Sequence, residues 1–185
     1  MRDFARDDAW QRQVRDKILA PGFYGQHAVE GRYVTMDKGR LATILQKRSA
    51  VDTVVQGRDG EAIFIEEKIV RWPGYKYACF FLETKSCTVP GHESPGWMFY
   101  GEADYLLYCF QTEAHDLDCW LIDFPSLQEW FWKRENSFPY HQLQDTINKT
   151  AGRLAPVADV HRNVRAWRRQ ITAHNTTVTR LPSGL

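Results

Sequence analysis

The residues best suited to chemistry stand in the middle of the chain: Asp52, then Glu66-Glu67-Lys68 beyond the turn-forming run Gly57-Arg58-Asp59-Gly60. Short β-prone runs flank that turn, residues 50–56 on one side and 62–71 on the other, and together they predict an antiparallel hairpin. Pairing across 57–60 sets Asp52 opposite Ile65 or within a residue of it. Glu66 is then its neighbour across the ladder, or Glu67 after a small register change. In a regular strand Glu66 and Lys68 share one face, while Glu67 shares the other with Ile65 and Ile69.

Two carboxylates a few ångströms apart repel unless a cation lies between them. A hard divalent ion such as Mg²⁺ takes one or two protein carboxylates and keeps waters and open positions for phosphate oxygens. A lysine beside it supplies positive charge for an attacking water or for charge developing on phosphorus. In outline that is a phosphodiester-cleaving site. An exposed hairpin bearing ordinary charges is the plainer reading, but these charges are embedded in Ile-Phe-Ile and Ile-Val, where charged groups need partners.

The elements that must position this hairpin can be read on either side of it. Residues 7–19 predict a helix capped by Asp7 or Asp8, with Trp10, Val14, Ile18 and Leu19 at helical spacing and Pro21-Gly22 as its stop. A second helix is expected at 38–47. Strands are expected at 79–86, 104–111 and 119–124, the last two forming a hairpin centred on residue 114 that sets Cys109 opposite Cys119. Pro125-Ser126 opens a further helix to Asn136, with Ser126 as cap, and 141–149 and 158–170 also predict helices. The last fifteen residues read as frayed or weakly extended.

Asp52 followed fourteen residues later by Glu66-x-Lys68 resembles the motif of the PD-(D/E)XK nuclease superfamily, with Val51 in place of the proline. Downstream, Phe81-Leu82-Glu83-Thr84-Lys85-Ser86, Pro95-Gly96-Trp97 and Ala103-Asp104-Tyr105-Leu106-Leu107-Tyr108 follow in an order similar to a group of small bacterial and phage members. The likeness covers residues 50–130. It implies an α/β (α+β) fold with a central mixed β-sheet flanked by helices, dependence on Mg²⁺ or Mn²⁺, and nucleic-acid hydrolysis, here expected to be endonucleolytic on DNA, with RNA an alternative. Asp52 and Glu66 (or Glu67) would hold the metal, Lys68 would orient water or stabilise charge, and Glu83 would be a further acid and metal ligand. Two alternatives stay open: a bulge that puts Glu67-Lys68 in place of Glu66-x-Lys68, and Glu83-x-Lys85 as the true motif. A catalytically inactive subunit gripping nucleic acid or a partner protein is the rival function.

Composition bounds these readings. The chain has 185 residues, 43% of them hydrophobic and 25% charged, which suits one globular domain and excludes a wholly disordered chain. No run approaches a membrane span and the N-terminus carries no signal-peptide pattern, so a cytoplasmic protein without a membrane partner is expected. Charge is segregated: residues 86–129 carry eight acids and no Lys or Arg, whereas 153–185 carry six Arg and one acid. Arg162, Arg165, Arg168 and Arg169 would form one basic face of a C-terminal helical extension, 153–185, suited to phosphate contacts. A solvated face or an intersubunit surface explains it equally well, and a homodimer or larger assembly is compatible with the sequence. Cys79, Cys87, Cys109 and Cys119 lack Cys-x-x-Cys spacing and read as reduced core thiols rather than zinc or iron–sulfur ligands. Scattered His92, His115 and His141 are weak ligand candidates, and Gln11 or Glu30 would be the polar contribution of the N-terminal region. Trp130, Phe131 and Trp132 read as core.

Overall fold

The computed structural model describes residues 4–24, 33–35, 40–57, 59–73, 78–143 and 149–172. Its elements are α1 (Phe4–Val14), continued by wider π-helical turns over Arg15–Tyr24, then β1 (Tyr33–Thr35), α2 (Arg40–Ser49), β2 (Thr53–Gln56), β3 (Ala62–Val70) and β4 (Cys79–Cys87). There follow β5 (Ser94–Pro95), α3 (Trp97–Tyr100), β6 (Tyr105–Gln111), β7 (Leu117–Asp123), α4 (Phe124–Trp132), β8 (Tyr140–Gln142), β9 (Ala151–Pro156), α5 (Val157–Asn163) and β10 (Ala166–Ile171).

The protein is mixed α+β and carries two sheets. A six-stranded sheet runs β1-β2-β3-β6-β7-β10, and a four-stranded antiparallel sheet runs β5-β4-β9-β8. In the larger sheet only β3 and β6 are parallel, which makes it mixed. One face packs on the helical N-terminal segment, where Val14, Leu19, Phe23 and Tyr24 meet Ile65, Ile69, Leu107 and Leu121. The opposite face packs on the smaller sheet and α4, through Leu106, Phe110, Trp120 and Ile122 against Phe80, Leu82, Leu127 and Phe131. So helices cover one face, and the second is covered largely by a sheet. No helix among the described residues is long and apolar enough to cross a membrane.

The central hairpins form where the sequence places them. Thr53 pairs with Ile65 across the first, and Cys109 with Cys119 across the second. All four cysteines are free; Cys109 Sγ lies 3.0 Å from Cys119 Sγ in the core. Burial, followed by the adjoining Cys119, pushes the Cys109 thiol well up, so Cys109 behaves as a small core group.

Several expectations are corrected. Pro21-Gly22 does not stop the first helix, because wider turns tolerate a residue lacking an N–H and packing holds them: a Cβ at Gly22 would fall 2.5 Å from Ile171 Cγ2. Asp123, not Ser126, caps α4; its Oδ1 accepts from the Ser126 amide at 3.0 Å, and the α-helix ends at Trp132. The expected helix at 141–149 begins as strand β8, and 144–148 lie outside the described residues. The expected helix over 158–170 spans only Val157–Asn163 before the chain turns into β10, because the edge of β7 offers a full ladder to Ala166–Ile171. With Arg153 in β9 as well, this region is built into both sheets and is not a helical extension. Residues 173–185 and Glu30 lie outside the described residues.

Candidate active site

Asp52 is placed by the end of α2. Ala50 adopts a left-handed conformation (φ 49°), and the Val51 amide donates to the Leu45 carbonyl at 3.4 Å. That is a helix-terminating turn in which alanine fills a place glycine usually takes. The chain enters β2 directly: the Asp52 amide donates to the Ile65 carbonyl at 2.9 Å, and Asp52 Oδ2 accepts from the Glu67 amide at 3.0 Å. Asp52 Oδ1 accepts from Gln46 Nε2 at 3.3 Å. β2 begins at Thr53, and just ahead of it the Asp52 amide and side chain extend the bonding to β3 beyond the last paired residues.

The pairing of β3 with β6 is unbroken from Ile65 to Val70, so no bulge shifts Glu67 toward Asp52. Strict alternation holds. Glu66, only 3% exposed, and Lys68 lie on the side of the smaller sheet, where Lys68 Nζ donates to Glu66 Oε1. The ammonium stands 5.3 Å over the Trp97 ring. Burial pushes the Glu66 carboxyl well above the ordinary range and Asp52 adds to it, against the opposing pull of Lys68. For Lys68, burial alone would weaken proton binding, but the charges of Glu66, Asp52 and Glu83 outweigh it and raise its affinity.

Glu83 reaches this group from β4. There the ladder to β9 slips between Glu83 and Lys85, a bulge, and two glycines let neighbouring chain press against the strand. A Cβ at Gly96 would sit 2.4 Å from the Glu83 carbonyl oxygen, and one at Gly152 would sit 2.3 Å from that of Leu82. Gly96 is thus required before Trp97, whose ring supports Lys68. Glu83 Oε1 accepts from Ser86 Oγ at 2.6 Å. Tyr100 is held in the same field: burial raises its phenol, and Glu83 and Glu66 raise it further. Lys85 is exposed on β4, whereas Lys68 stands among the three acids.

Glu67 points to the other face. It is buried and accepts from Tyr24 Oη, from Arg15 Nε at 2.6 Å and from Thr53 Oγ1 at 2.5 Å. A charge with three donors is a satisfied charge, and it ties the N-terminal segment to the sheet. Burial and then Glu67 push the Tyr24 phenol well up, so it stays a donor. Thr53 could have been found from the sequence by alternation, since it faces Ile65 and hence lies beside Glu67. Arg15 and Tyr24 had no local signal.

A cleft of about 730 Å³ opens at this end of β3, lined by Asp52, Lys68 and Glu83 among aromatic side chains that include Trp97 and Tyr108. Tyr108 Oη accepts from the Phe81 amide at 3.1 Å, joining the two sheets, and burial pushes its phenol up to about 12. Gln11 also lines the cleft, as does His141. No family model, curated protein or solved structure matches this chain. The site's chemistry therefore rests on its own geometry.

The remaining sequence candidates are dispersed. Arg168 Nε and a terminal guanidinium nitrogen bond both carboxylate oxygens of buried Asp118, at 2.7 and 3.1 Å. Arg162 pairs with Asp159 at 3.7 Å, Arg165 lies 4.7 Å over Trp167, and Arg169 sits in β10 opposite Cys119. The four arginines therefore share no helical face. Phe131 is buried, with Trp130 and Trp132 half-buried beside it.

The donor set suits a hard divalent cation. Asp52, Glu66 and Glu83 offer three carboxyl groups beside one ammonium, oxygen donors of the kind such an ion takes. Asp52 and Glu66 supply two oxygen-donor groups, the number at which Mg²⁺ keeps much of its water. Among the described residues no three His, Cys, Asp or Glu side chains converge as a ready-made metal cage.

Proposed function

We propose that this protein is a divalent-metal-dependent nuclease of the PD-(D/E)XK type, acting on DNA or RNA. The observation that carries the reading is the meeting of Asp52, Glu66 and Lys68 on one side of the β2–β3 hairpin, where Asp52 and Lys68 line a cleft that also receives Glu83 and Glu66 lies buried behind Lys68. Asp52 and Glu66 would hold Mg²⁺ or Mn²⁺, which supplies Lewis-acid polarisation of the phosphate and an acidified water. Lys68 stays protonated, donates from Nζ, and places a fixed positive charge where negative charge develops. Asp52 is oriented by the Glu67 amide and Gln46, so its oxygens need little reorganisation. Glu83 is a further acid at the same wall, steadied by Ser86.

The test is cleavage of plasmid, duplex and single-stranded oligonucleotides with Mg²⁺, Mn²⁺ or EDTA. Metal-dependent cleavage lost in Asp52→Ala and Lys68→Ala supports the reading; metal-independent cleavage, or cleavage unchanged in both variants, refutes it. Two observations favour the rival, a non-catalytic binding subunit: Glu66 is engaged by Lys68, and among the described residues no three ligands converge. Calorimetry separates the two, since a dead site gives no Mg²⁺ or Mn²⁺ heat that disappears in Asp52→Ala.

A further inference from the structure

The acids stand between two unlike recesses. On one side lies the 730 Å³ cleft, whose mixed walls include Arg15, Glu67 and Arg71 and whose more accessible aromatic rings are Trp10, Phe81 and His141, Trp97 and Tyr108 being buried behind them. Phe81 is half-buried and meets the exposed His141 edge-on, with ring centroids 6.2 Å apart. Trp10 is also half-buried and carries the Arg71 guanidinium 4.4 Å over its ring. On the other side a shallower recess is formed by Lys47 and Arg48 at the end of α2, with the hydroxyls of Ser86, Ser94 and Tyr100. Two hydrogen bonds make the partition: Gln46, in the shallow recess, holds Asp52, and Ser86 holds Glu83.

This arrangement constrains any nucleic acid that brings a phosphate to the acids. The cleft has the volume of a small-ligand site, which takes a base and its sugar, whereas a base pair within a stacked duplex cannot enter it. Aromatic faces bind bases of any sequence by stacking, and this chemistry requires an unpaired base. Lys47 and Arg48 are exposed and offer point charge and a planar fork to a neighbouring phosphate. The basic and hydroxyl-bearing recess therefore suits backbone and the aromatic cleft suits a base.

We propose that the strand held at this site is unpaired where it is cut, with one base seated in the aromatic cleft and the adjoining phosphate resting on Lys47 and Arg48. The proposal rests on the nuclease reading and adds its substrate class, a single strand or an unpaired end or flap. It assigns Phe81 to base stacking, and Lys47 and Arg48 to phosphate binding.

The test is equilibrium binding by fluorescence anisotropy with the full chain in Ca²⁺ or EDTA, using an unpaired 20-nucleotide strand and the blunt duplex of the same sequence. The unpaired strand should bind at least tenfold tighter. Phe81→Leu, which keeps an apolar side chain, should weaken the single strand about tenfold and leave the duplex unchanged. Lys47→Ser with Arg48→Ser, both on the surface, should lower the salt slope for the single strand by about 0.7, the value for one neutralised phosphate. Equal or tighter duplex binding, or a Phe81→Leu protein with an unchanged preference, overturns the proposal. Asp52-dependent cleavage of blunt duplex at the rate seen for single strands overturns it while leaving the nuclease reading intact. Single-strand preference without any Asp52-dependent cleavage supports the base site and defeats the nuclease. Failure to bind either form defeats both.

Discussion

Replacing Arg168 by alanine should lower stability rather than nucleic-acid affinity. Asp118 has a side chain only 2% exposed, and both of its oxygens accept from the Arg168 guanidinium, at 2.7 and 3.1 Å. Removing one partner of a fully buried pair costs about 3–5 kcal/mol, whereas a surface pair contributes about 0–1 kcal/mol. Arg168 is 45% exposed, so solvent can reach part of the bare carboxylate and the expected loss lies between the two limits, about 2–3 kcal/mol. For a domain of this size that is a fall of about 5–10 °C in Tm. The assay is urea unfolding followed by tryptophan fluorescence, with oligonucleotide anisotropy on the same preparation. Arg162→Ala is the control: it breaks only an exposed pair with Asp159 and should shift stability by less than about 0.5 kcal/mol. Replacing both members of this half-buried pair, Asp118→Leu with Arg168→Met, should recover most of the loss. An Arg168→Ala protein with an unchanged urea midpoint and weakened oligonucleotide binding would refute this reasoning and return Arg168 to the phosphate-binding set.

Three further outcomes follow from the site and its supports. Glu66→Gln should flatten the pH dependence of stability: the raised folded-state carboxyl keeps its proton after the unfolded chain has lost its own, so wild-type stability falls as pH rises above the ordinary glutamate range. Urea midpoints from pH 5 to 8 read this directly, and Lys68, raised above its ordinary value, lies outside that window. Tyr24→Phe removes one of three donors to buried Glu67 and should cost about 1.5–3 kcal/mol, seen as a lowered melting temperature. Gly96→Ala must displace backbone, because its Cβ would fall 2.6 Å from the Glu83 carbonyl carbon; a loss of about 1–3 kcal/mol is expected, and unchanged stability would show that the turn before Trp97 yields easily.

The hairpin geometry was legible because it is local. A period of two and a four-residue turn place Asp52 beside Glu66, and alternation sends Glu67 to the far face, without knowledge of the rest of the chain. The Cys109–Cys119 pairing was legible for the same reason. What could not be read was pairing between segments distant in sequence. β4 reads like a central strand, yet it pairs with β9, whose Ala-Gly-Arg-Leu-Ala-Pro gives no strand signal, in a separate sheet. Arg162 to Arg169 has helical spacing, but an open edge of β7 and a buried Asp118 draw Ala166–Ile171 into a strand. Glu67 looked like a candidate ligand because two of its three partners, Arg15 and Tyr24, belong to the π-helical turns, which meet β3 only in three dimensions.

The single parallel pair has a consequence for how the site is assembled. Antiparallel neighbours can be joined by a tight turn, but β3 and β6 run the same way, so the chain must travel back before it can pair again. That return journey contains β4, β5 and α3, and with them Glu83, Ser86, Gly96 and Trp97. The hairpin bearing Asp52, Glu66 and Lys68 can form from neighbouring residues alone, yet the wall opposite it exists only once the crossover has docked and β6 has closed beside β3. The acid cluster and its enclosure are thus separate events in the life of the chain. Contacts of long sequence separation form slowly relative to local ones, so in pulsed hydrogen exchange the Asp52 and Glu67 amides, which bond across the hairpin, should gain protection before those of Glu83 and Gly96. A newly made chain would then carry its charges in the open before it has a cleft to put them in.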